Sequence, residues 1–331
     1  MGNSTVKLTA AEISNLWMNY QNDTMAGCVI KYFLANMEDE ETRSIFEYAL
    51  KISYQHIEKV TEIFKQECYP IPVGFTDEDV RLDAPRLFSD ILYLHYILNM
   101  SQGALTAYSL ALSLSSRDDI IQFYSECLNE TRDLHNKAKK LAKEKGVYIR
   151  PPYLSTPDSV DFVKRQNFLA GWFGDRRPLL GIETSLLVYN AKRNAISEAW
   201  LTGFSQVAQL KEVRRYFERG RELARKHHEI FESVLRDDYL SGTINYTSGV
   251  TDSTVSPFSD KLMMYHTSFL AAPLIGQYGI SIALSPRRDL STHYARLLIE
   301  VGQLSEDGAN IMIDNGWMEQ PPKAVDREKL T

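Results

Sequence analysis

Two stretches of this chain begin with the same tripeptide and share one apolar pattern: FSDILYLHYILNMSQGALTAYSLALSLSSRDD at residues 88–119 and FSDKLMMYHTSFLAAPLIGQYGISIALSPRRD at residues 258–289. In each stretch a long apolar segment is followed by a Ser-x-Arg turn and, two residues after the arginine, by an aspartate. This pattern predicts a helix, a tight turn and the start of a second helix. Its recurrence indicates an internal duplication.

The duplication extends over most of the chain. A shift of 171 residues aligns residues 8–64 with 179–235, and a shift of 170 aligns residues 88–152 with 258–322. The two windows contain 28 identical pairs among 122 aligned positions. The offset changes by one inside a connection rich in glycine, proline and serine, where loops tolerate a change in length. A single gap in that place favours a true repeat over chance similarity.

Each copy is predicted to contain four long helices. In the first copy they cover about residues 10–36, 39–66, 87–114 and 118–144, with a connection rich in proline at 67–86. Two short turns and one long crossover are the connectivity of ferritin-like bundles. The predicted fold is therefore all-α, with two tandem ferritin-like four-helix bundles related by internal duplication.

The predicted organisation has three parts. Residues 1–150 form the first four-helix bundle, 151–178 an apolar connecting segment, and 179–331 the second bundle. The apolar residues of the connecting segment are Phe162, Phe168, Leu169, Trp172 and Phe173. A segment this apolar is not expected to stay in water. Two interpretations remain open: the segment packs between the copies and docks them rigidly, or it caps the first bundle.

Composition excludes several classes of function. The 331 residues are 44% apolar and 24% charged, and the net charge of −6 is spread without long runs. A nucleic-acid surface, which needs a basic stripe, is therefore not expected. No run of about 20 apolar residues predicts a transmembrane segment, and the N-terminus lacks the apolar core of a secretory signal peptide. Three widely spaced cysteines fit a reducing compartment.

A ferritin-like bundle suggests a test for a dinuclear metal site. Such a site takes a glutamate from each of two helices and a Glu-x-x-His motif from each of the other two. The second helix of each copy keeps the histidine, His56 or His227, without the glutamate. The fourth helix keeps the glutamate, Glu130 or Glu300, without the histidine. A normal dinuclear iron site is therefore not expected.

The remaining histidines and glutamates lie on apolar stripes at helical spacing, so each copy is predicted to point one of each into its core. One interpretation is a hydrogen-bonded pair, because a buried carboxylate is costly unless it is paired. Another is a single metal ion or small ligand held by His56 with Glu130, and by His227 with Glu300. A third is that one of these residues faces solvent. We predict no catalytic residues and no cofactor, with one metal ion per bundle as the alternative.

Two further acidic positions repeat. Thr9 and Glu12 form a capping-box pattern at the start of the first helix. The second copy has a leucine in place of Thr9, so that capping explains Glu183 less well. Asp90 and Asp260, in the Phe-Ser-Asp motif, are expected to cap the start of the third helix in each copy.

The sequence also resembles a known family. The opening LTAAEISNLW (residues 8–17), the stretch at residues 88–119 and the close GVYIRPP (residues 146–152) resemble an uncharacterised family from Bacillus-type spore formers. That family is built of tandem ferritin-like bundles and is allied to spore coat protein F. The resemblance covers nearly the whole chain and implies the ferritin-like fold and a spore-associated role. No catalytic residues come with it.

Two functional hypotheses follow. The first is a non-enzymatic structural or interaction protein, with other spore coat proteins as its partners, located in the cytoplasm or on the spore. The alternative is a metal-binding ferritin-like protein with a reduced His/Glu site in each bundle. An apolar ligand held between bundle helices is a third possibility that no sequence feature specifically favours.

Overall fold

A computed structural model describes residues 6–172 and 176–330. Within these ranges the chain is all-α and contains no strand. The first copy contains α1 (Ala10–Asn36), α2 (Glu40–Gln66), α3 (Asp90–Leu114) and α4 (Asp118–Glu144). The second contains α5 (Gly181–Val207), α6 (Lys211–Asp237), α7 (Asp260–Leu284) and α8 (Arg288–Asp314). The predicted fold of two duplicated helical bundles is confirmed.

Contacts at the ends of the first bundle fix the directions of its helices. Glu12, at the start of α1, accepts a hydrogen bond from the backbone N–H of Arg117 at the start of α4. Asp90, at the start of α3, accepts from the backbone N–H of Asp39, which immediately precedes α2. Helices α1 and α4 therefore begin at one end of the bundle, and α2 and α3 at the other. The connection 67–89 runs the length of the bundle, as the predicted connectivity requires.

The carboxylate of Glu12 joins the N-termini of two helices. It is fully buried and accepts hydrogen bonds from the backbone N–H groups of Thr9 (2.7 Å), Ser116 (2.8 Å) and Arg117 (2.9 Å). The Thr9 hydroxyl in turn accepts from the backbone N–H of Glu12, which completes the predicted capping box. Helix N-termini carry partial positive charge and unpaired N–H groups, so one buried carboxylate stabilises both.

Glu183 has the same role in the second copy. It is also fully buried and accepts from the backbone N–H groups of Leu180 (2.8 Å) and Arg287 (3.1 Å). The side chain of Arg177 forms an ion pair with it at 2.8 Å. The hydroxyl of a capping box is therefore dispensable here, because the repeated glutamate itself accepts the backbone N–H groups of both helices.

The Phe-Ser-Asp motif caps two helices. Ser89 and Ser259 cap their own helices, α3 and α7, by accepting a backbone N–H of the first turn. Asp90 instead accepts backbone N–H groups just before α2, and Asp260 those just before α6. We expected the aspartates to cap their own helices, α3 and α7. They cap the neighbouring helices α2 and α6 instead, because the serines already accept a first-turn N–H group of α3 and α7.

The two crossover connections hold the copies together. The backbone N–H of Ser89 donates to the carbonyl of Gly249 (2.8 Å), and that of Ser259 donates to the carbonyl of Asp79 (2.9 Å). These bonds are equivalent under the 170-residue offset. Each crossover therefore pairs with the crossover of the other copy in a nearly twofold arrangement.

An aromatic core lies beside these paired crossovers. Trp200 of α5 is fully buried, and its ring stacks on Phe88 at 4.1 Å and on Tyr96 at 4.5 Å, both from the first copy. Phe33 of α1 meets the same indole edge-on at 5.7 Å. Buried aromatic residues contribute large apolar areas. The copies thus share one continuous core and pack as a unit.

The connecting segment does not fill this interface. Phe162 is 78% exposed, and Trp172 is 55% exposed with its ring 5.5 Å from a histidine ring on α8. Phe168 packs within the segment, 4.3 Å from the guanidinium of Arg177, and Arg177 in turn forms the ion pair with Glu183 of the second bundle. Phe173 lies outside the described residues. The predicted packing of Phe162 and Trp172 between the copies, or as a cap on the first bundle, was wrong because aromatic residues of the helices and crossovers already occupy the interface.

Helix α7 is one of the two most apolar helices of the described chain, together with α3. It is the one helix there that is long and apolar enough to cross a membrane, a criterion that core helices also meet. Its polar residues Asp260, His266 and Ser281 are buried. They make hydrogen bonds to the N-terminus of α6, to α3 and to α5, respectively. In the structure α7 is therefore a helix of the second bundle.

Replacing Glu12 with glutamine tests the shared carboxylate. Burial raises the pKa of Glu12, but the hydrogen bonds from Thr9, Ser116 and Arg117 outweigh it and lower the pKa to about 2. The stabilisation is therefore present above the unfolded-state pKa of about 4.3 and is lost as the pH falls towards 2. We expect Glu12→Gln to reduce the free energy of unfolding at pH 7 by about 1–3 kcal/mol, measured by urea unfolding.

The difference between variant and wild type should shrink as the pH falls from about 4.3 to 2, because the wild-type carboxylate becomes protonated. The matched control is Glu58→Gln on the exposed face of α2, which should change stability by less than about 0.5 kcal/mol. A loss in Glu12→Gln that stays constant over this pH range would contradict the role of the charge.

Candidate functional site in each bundle core

The structure brings together the histidine and the glutamate predicted in each copy. His56 on α2 is 4% exposed, and its Nε2 lies 3.0 Å from Oε2 of Glu130 on α4. In the second copy Nε2 of His227 on α6 lies 2.9 Å from Oε2 of Glu300 on α8. The pairs are equivalent under the repeat and have the same geometry. The predicted interpretation of a hydrogen-bonded pair in each core fits this arrangement.

A third group in the first copy was missed by the sequence analysis. Asp23 on α1 is buried, and its Oδ2 lies 3.3 Å from Nδ1 of His56. The side-chain amide of Asn19 donates to the same carboxylate at 2.5 Å. The imidazole of His56 therefore lies between two carboxylates, one on α1 and one on α4. Asn19 is identical in both copies, but Asp23 aligns with Asn194, so a search for repeated acidic residues passes over it.

The second copy replaces this ion pair with a chain of hydrogen bonds between neutral groups. The side-chain amide of Asn194 donates to the hydroxyl of Tyr278 at 2.8 Å. That hydroxyl lies 3.1 Å from Nδ1 of His227, whose Nε2 faces Glu300. With the imidazole neutral, the Tyr278 hydroxyl donates to Nδ1 and Nε2–H donates to the carboxylate. Lys226 donates to Glu300 from the solvent side at 2.8 Å.

The two histidines therefore differ in charge. Burial lowers the pKa of His56, but the nearby charge of Asp23 and the hydrogen bond to Glu130 outweigh burial and raise the pKa well above its usual range. Burial also lowers the pKa of His227, and the hydrogen bond to Glu300 only partly offsets it, so that the pKa stays below its usual range. We conclude that His56 is an imidazolium and His227 a neutral imidazole at pH 7.

These groups do not fit the pair of metal ions that ferritin-like bundles hold. The two nitrogens of His56 face carboxylates on opposite sides of the ring, so the donors do not converge on one point. Over residues 6–172 and 176–330 no three or more histidine, cysteine, aspartate or glutamate side chains are grouped to hold a metal ion. A single metal bound by His56 with Glu130, or by His227 with Glu300, stays a prediction.

Exchanging the aligned residues Asp23 and Asn194 tests the charge assignment. Asp23→Asn should lower the pKa of His56 until it is neutral at pH 7, because burial is then opposed only by the hydrogen bonds with Cys127 and Glu130. Asn194→Asp should raise the pKa of His227 by adding the missing charge. Imidazole ¹⁵N chemical shifts recorded between pH 5 and 9 distinguish the imidazolium from the neutral ring.

The pH dependence of the free energy of unfolding should follow the charge of His56. In the wild type the raised pKa of His56 contributes stability that is fully present below the unfolded-state value of about 6.5 and is lost as the pH rises towards the folded-state pKa. That dependence should be absent in Asp23→Asn. The assignment fails if His56 and His227 titrate alike in the wild-type protein.

The described geometry can now be compared with known proteins. The family described as "Protein of unknown function (DUF3231)" matches residues 2–160 and again residues 167–330. A solved structure of a candidate spore coat protein from Bacillus halodurans is similar at 19% identity and a TM-score of 0.43, over 47% of this chain and 100% of that one. No curated protein matches the sequence. The chain belongs to the DUF3231 family and contains two tandem copies of its domain.

Proposed function

We propose that this protein is a non-enzymatic structural or interaction protein of the spore, built from two ferritin-like bundles. The observation that carries the proposal is that each ring nitrogen of the two central histidines lies within 3.3 Å of a neighbouring polar side chain. His56 is held by Asp23 and Glu130, and the ring of His227 has Tyr278 and Glu300 at its two nitrogens. Neither set presents an open coordination position or an activated nucleophile.

Such pairs have a structural effect in a bundle core. A buried polar group is stable only in the arrangement that satisfies its hydrogen bonds, so it specifies one packing of the helices around it. The His–Glu bonds join α2 to α4 and α6 to α8. This supports a role in holding the helices in register.

The outer surface supports an interaction role. Leu110 and Leu114 on α3 are exposed, and so are the aligned residues Ile280 and Leu284 on α7. Exposed apolar residues at equivalent places on both copies favour contact with other proteins. The spore assignment, with other spore coat proteins as partners, rests on the family resemblance of the sequence.

Metal analysis tests the alternative. The full chain, purified without chelator, should contain no stoichiometric metal ion. His56→Ala should reduce the free energy of unfolding by about 3–5 kcal/mol, because it leaves the buried carboxylate of Asp23 without its counter-charge. His227→Ala should reduce it by about 1–3 kcal/mol, because it leaves the buried Tyr278 hydroxyl without its acceptor. Stoichiometric metal that disappears in the double variant would instead establish the metal-binding alternative.

Fractionation tests the location. Antibody detection should find the protein in purified spores of its source organism and not in growing cells. The matched control is a cytoplasmic enzyme that is washed from the spores. Abundance in growing cells together with absence from purified spores would overturn the spore assignment.

A further inference from the structure

A cavity lies beside His56 in the first bundle. It has a volume of about 510 Å³ and opens to solvent on one side. Its walls come from the four helices of the first copy and from α5 and α7 of the second. Along α1 it extends from Asn15 to Ile30, which corresponds to about 22 Å at about 1.5 Å per residue. Its volume is within the range of about 300–1,000 Å³ that is usual for small-molecule sites.

Most of the wall is apolar. It includes Met25, Ile30, Ile52, Met100 and Phe269. Methionine side chains are flexible and adapt to the shape of an apolar ligand. A long apolar cavity of this kind matches an alkyl chain better than a compact polar metabolite.

Small side chains on α3 create the space. The residues at this wall are Gly103, Ala104, Ala107 and Ala111. The aligned residues of the second copy are Pro273, Leu274, Gln277 and Ser281. Leu274 is buried in the core of the second bundle. Small side chains therefore line the cavity of the first copy at positions where the second copy has larger ones.

An arginine without a counter-ion lines this cavity. Arg193 of α5 is 5% exposed, and no carboxylate lies within 4 Å of its guanidinium among the described residues. Its Nη1 donates to the hydroxyl of Tyr189 at 2.9 Å, and no described acceptor takes a hydrogen bond from Nε or Nη2. A buried charge is costly when unpaired. Its position in the wall points to an anionic group inside the cavity.

A second buried polar side chain in the cavity wall also lacks hydrogen-bond partners. Asn99 of α3 also lines the cavity, is 5% exposed, and its side chain has no hydrogen-bond partner in the described protein. Helix α5 meets α3 where the Trp200 indole stacks on the ring of Tyr96. Arg193 and Asn99 line the same cavity, one from α5 and the other from α3.

The charge in the wall selects the head group. Arg193 supplies one positive charge. Asp23 in the same wall is negative, and the positive charge of His56 is shared between Asp23 and Glu130. A monoanion can be neutralised by a single guanidinium, and a carboxylate matches its geometry. A phosphate dianion would require a second cation.

We infer that the first bundle binds one long-chain carboxylate, with its head group on Arg193 and Asn99 and its alkyl chain along α1 and α3. The second copy contributes the cation and the first contributes the apolar cavity. The site goes beyond the structural role proposed above and does not depend on it.

Titration calorimetry with palmitate tests the inference on the full chain after removal of copurified lipid. We expect one palmitate to bind per chain. Arg193→Gln should weaken palmitate at least about tenfold, which is the value of one charge-assisted contact. It should leave the binding of hexadecanol unchanged, since hexadecanol has the same chain without the charge. The matched control Arg225→Gln, at an exposed position of α6, should bind palmitate like the wild type.

Ala104→Leu tests the cavity itself. It introduces the leucine that the second copy has at the aligned position, so the bundle should still fold, as checked by the thermal unfolding transition. We expect this variant to lose both palmitate and hexadecanol. The inference is overturned if folded wild-type protein does not bind palmitate, if Arg193→Gln binds it unchanged, or if hexadecyl phosphate binds more tightly than palmitate.

Discussion

The sharing of one buried carboxylate between two helix N-termini is the interaction on which each bundle depends. Parallel helices that begin side by side place like partial charges and unpaired N–H groups next to one another. Glu12 and Glu183 satisfy both at one end of each bundle, and Asp90 and Asp260 do so at the other. Because both ends are fixed in this way, the helices keep the register that brings the central histidine and glutamate together.

Duplication gave two copies of this architecture, which then diverged at the centre. The exchange of Asp23 for Asn194 replaces a carboxylate with an amide at the same place on the first helix of each copy. In a buried site the added carboxylate favours the imidazolium, since burial alone favours the neutral ring, and in the second copy the nearby charges of Lys226 and Arg296 lower the pKa of His227 further. The first copy thus holds an ion pair around His56, and the second a hydrogen-bonded chain that runs from Asn194 through Tyr278 and His227 to Glu300.

The copies are also not independent of each other. Trp200 of the second copy completes the aromatic core of the first, and the two crossovers pair through their backbones. The same contact surface brings Arg193 to the wall of a cavity that belongs mainly to the first bundle. The cavity of the first copy therefore has a cation in its wall that the second copy provides.

The sequence by itself determined the duplication and the helices, because helical periodicity and the fixed offset between copies are properties of the chain as written. It singled out His56 and Glu130 but left open a hydrogen-bonded pair, a metal or ligand site, or exposure of one of them. Only the tertiary structure decided that Asp23 faces His56, that Arg193 reaches the first bundle, and that Phe162 is exposed. These features depend on which helix faces lie together and on how completely the interface between the copies is already filled. Residue spacing within one helix carries no information about either.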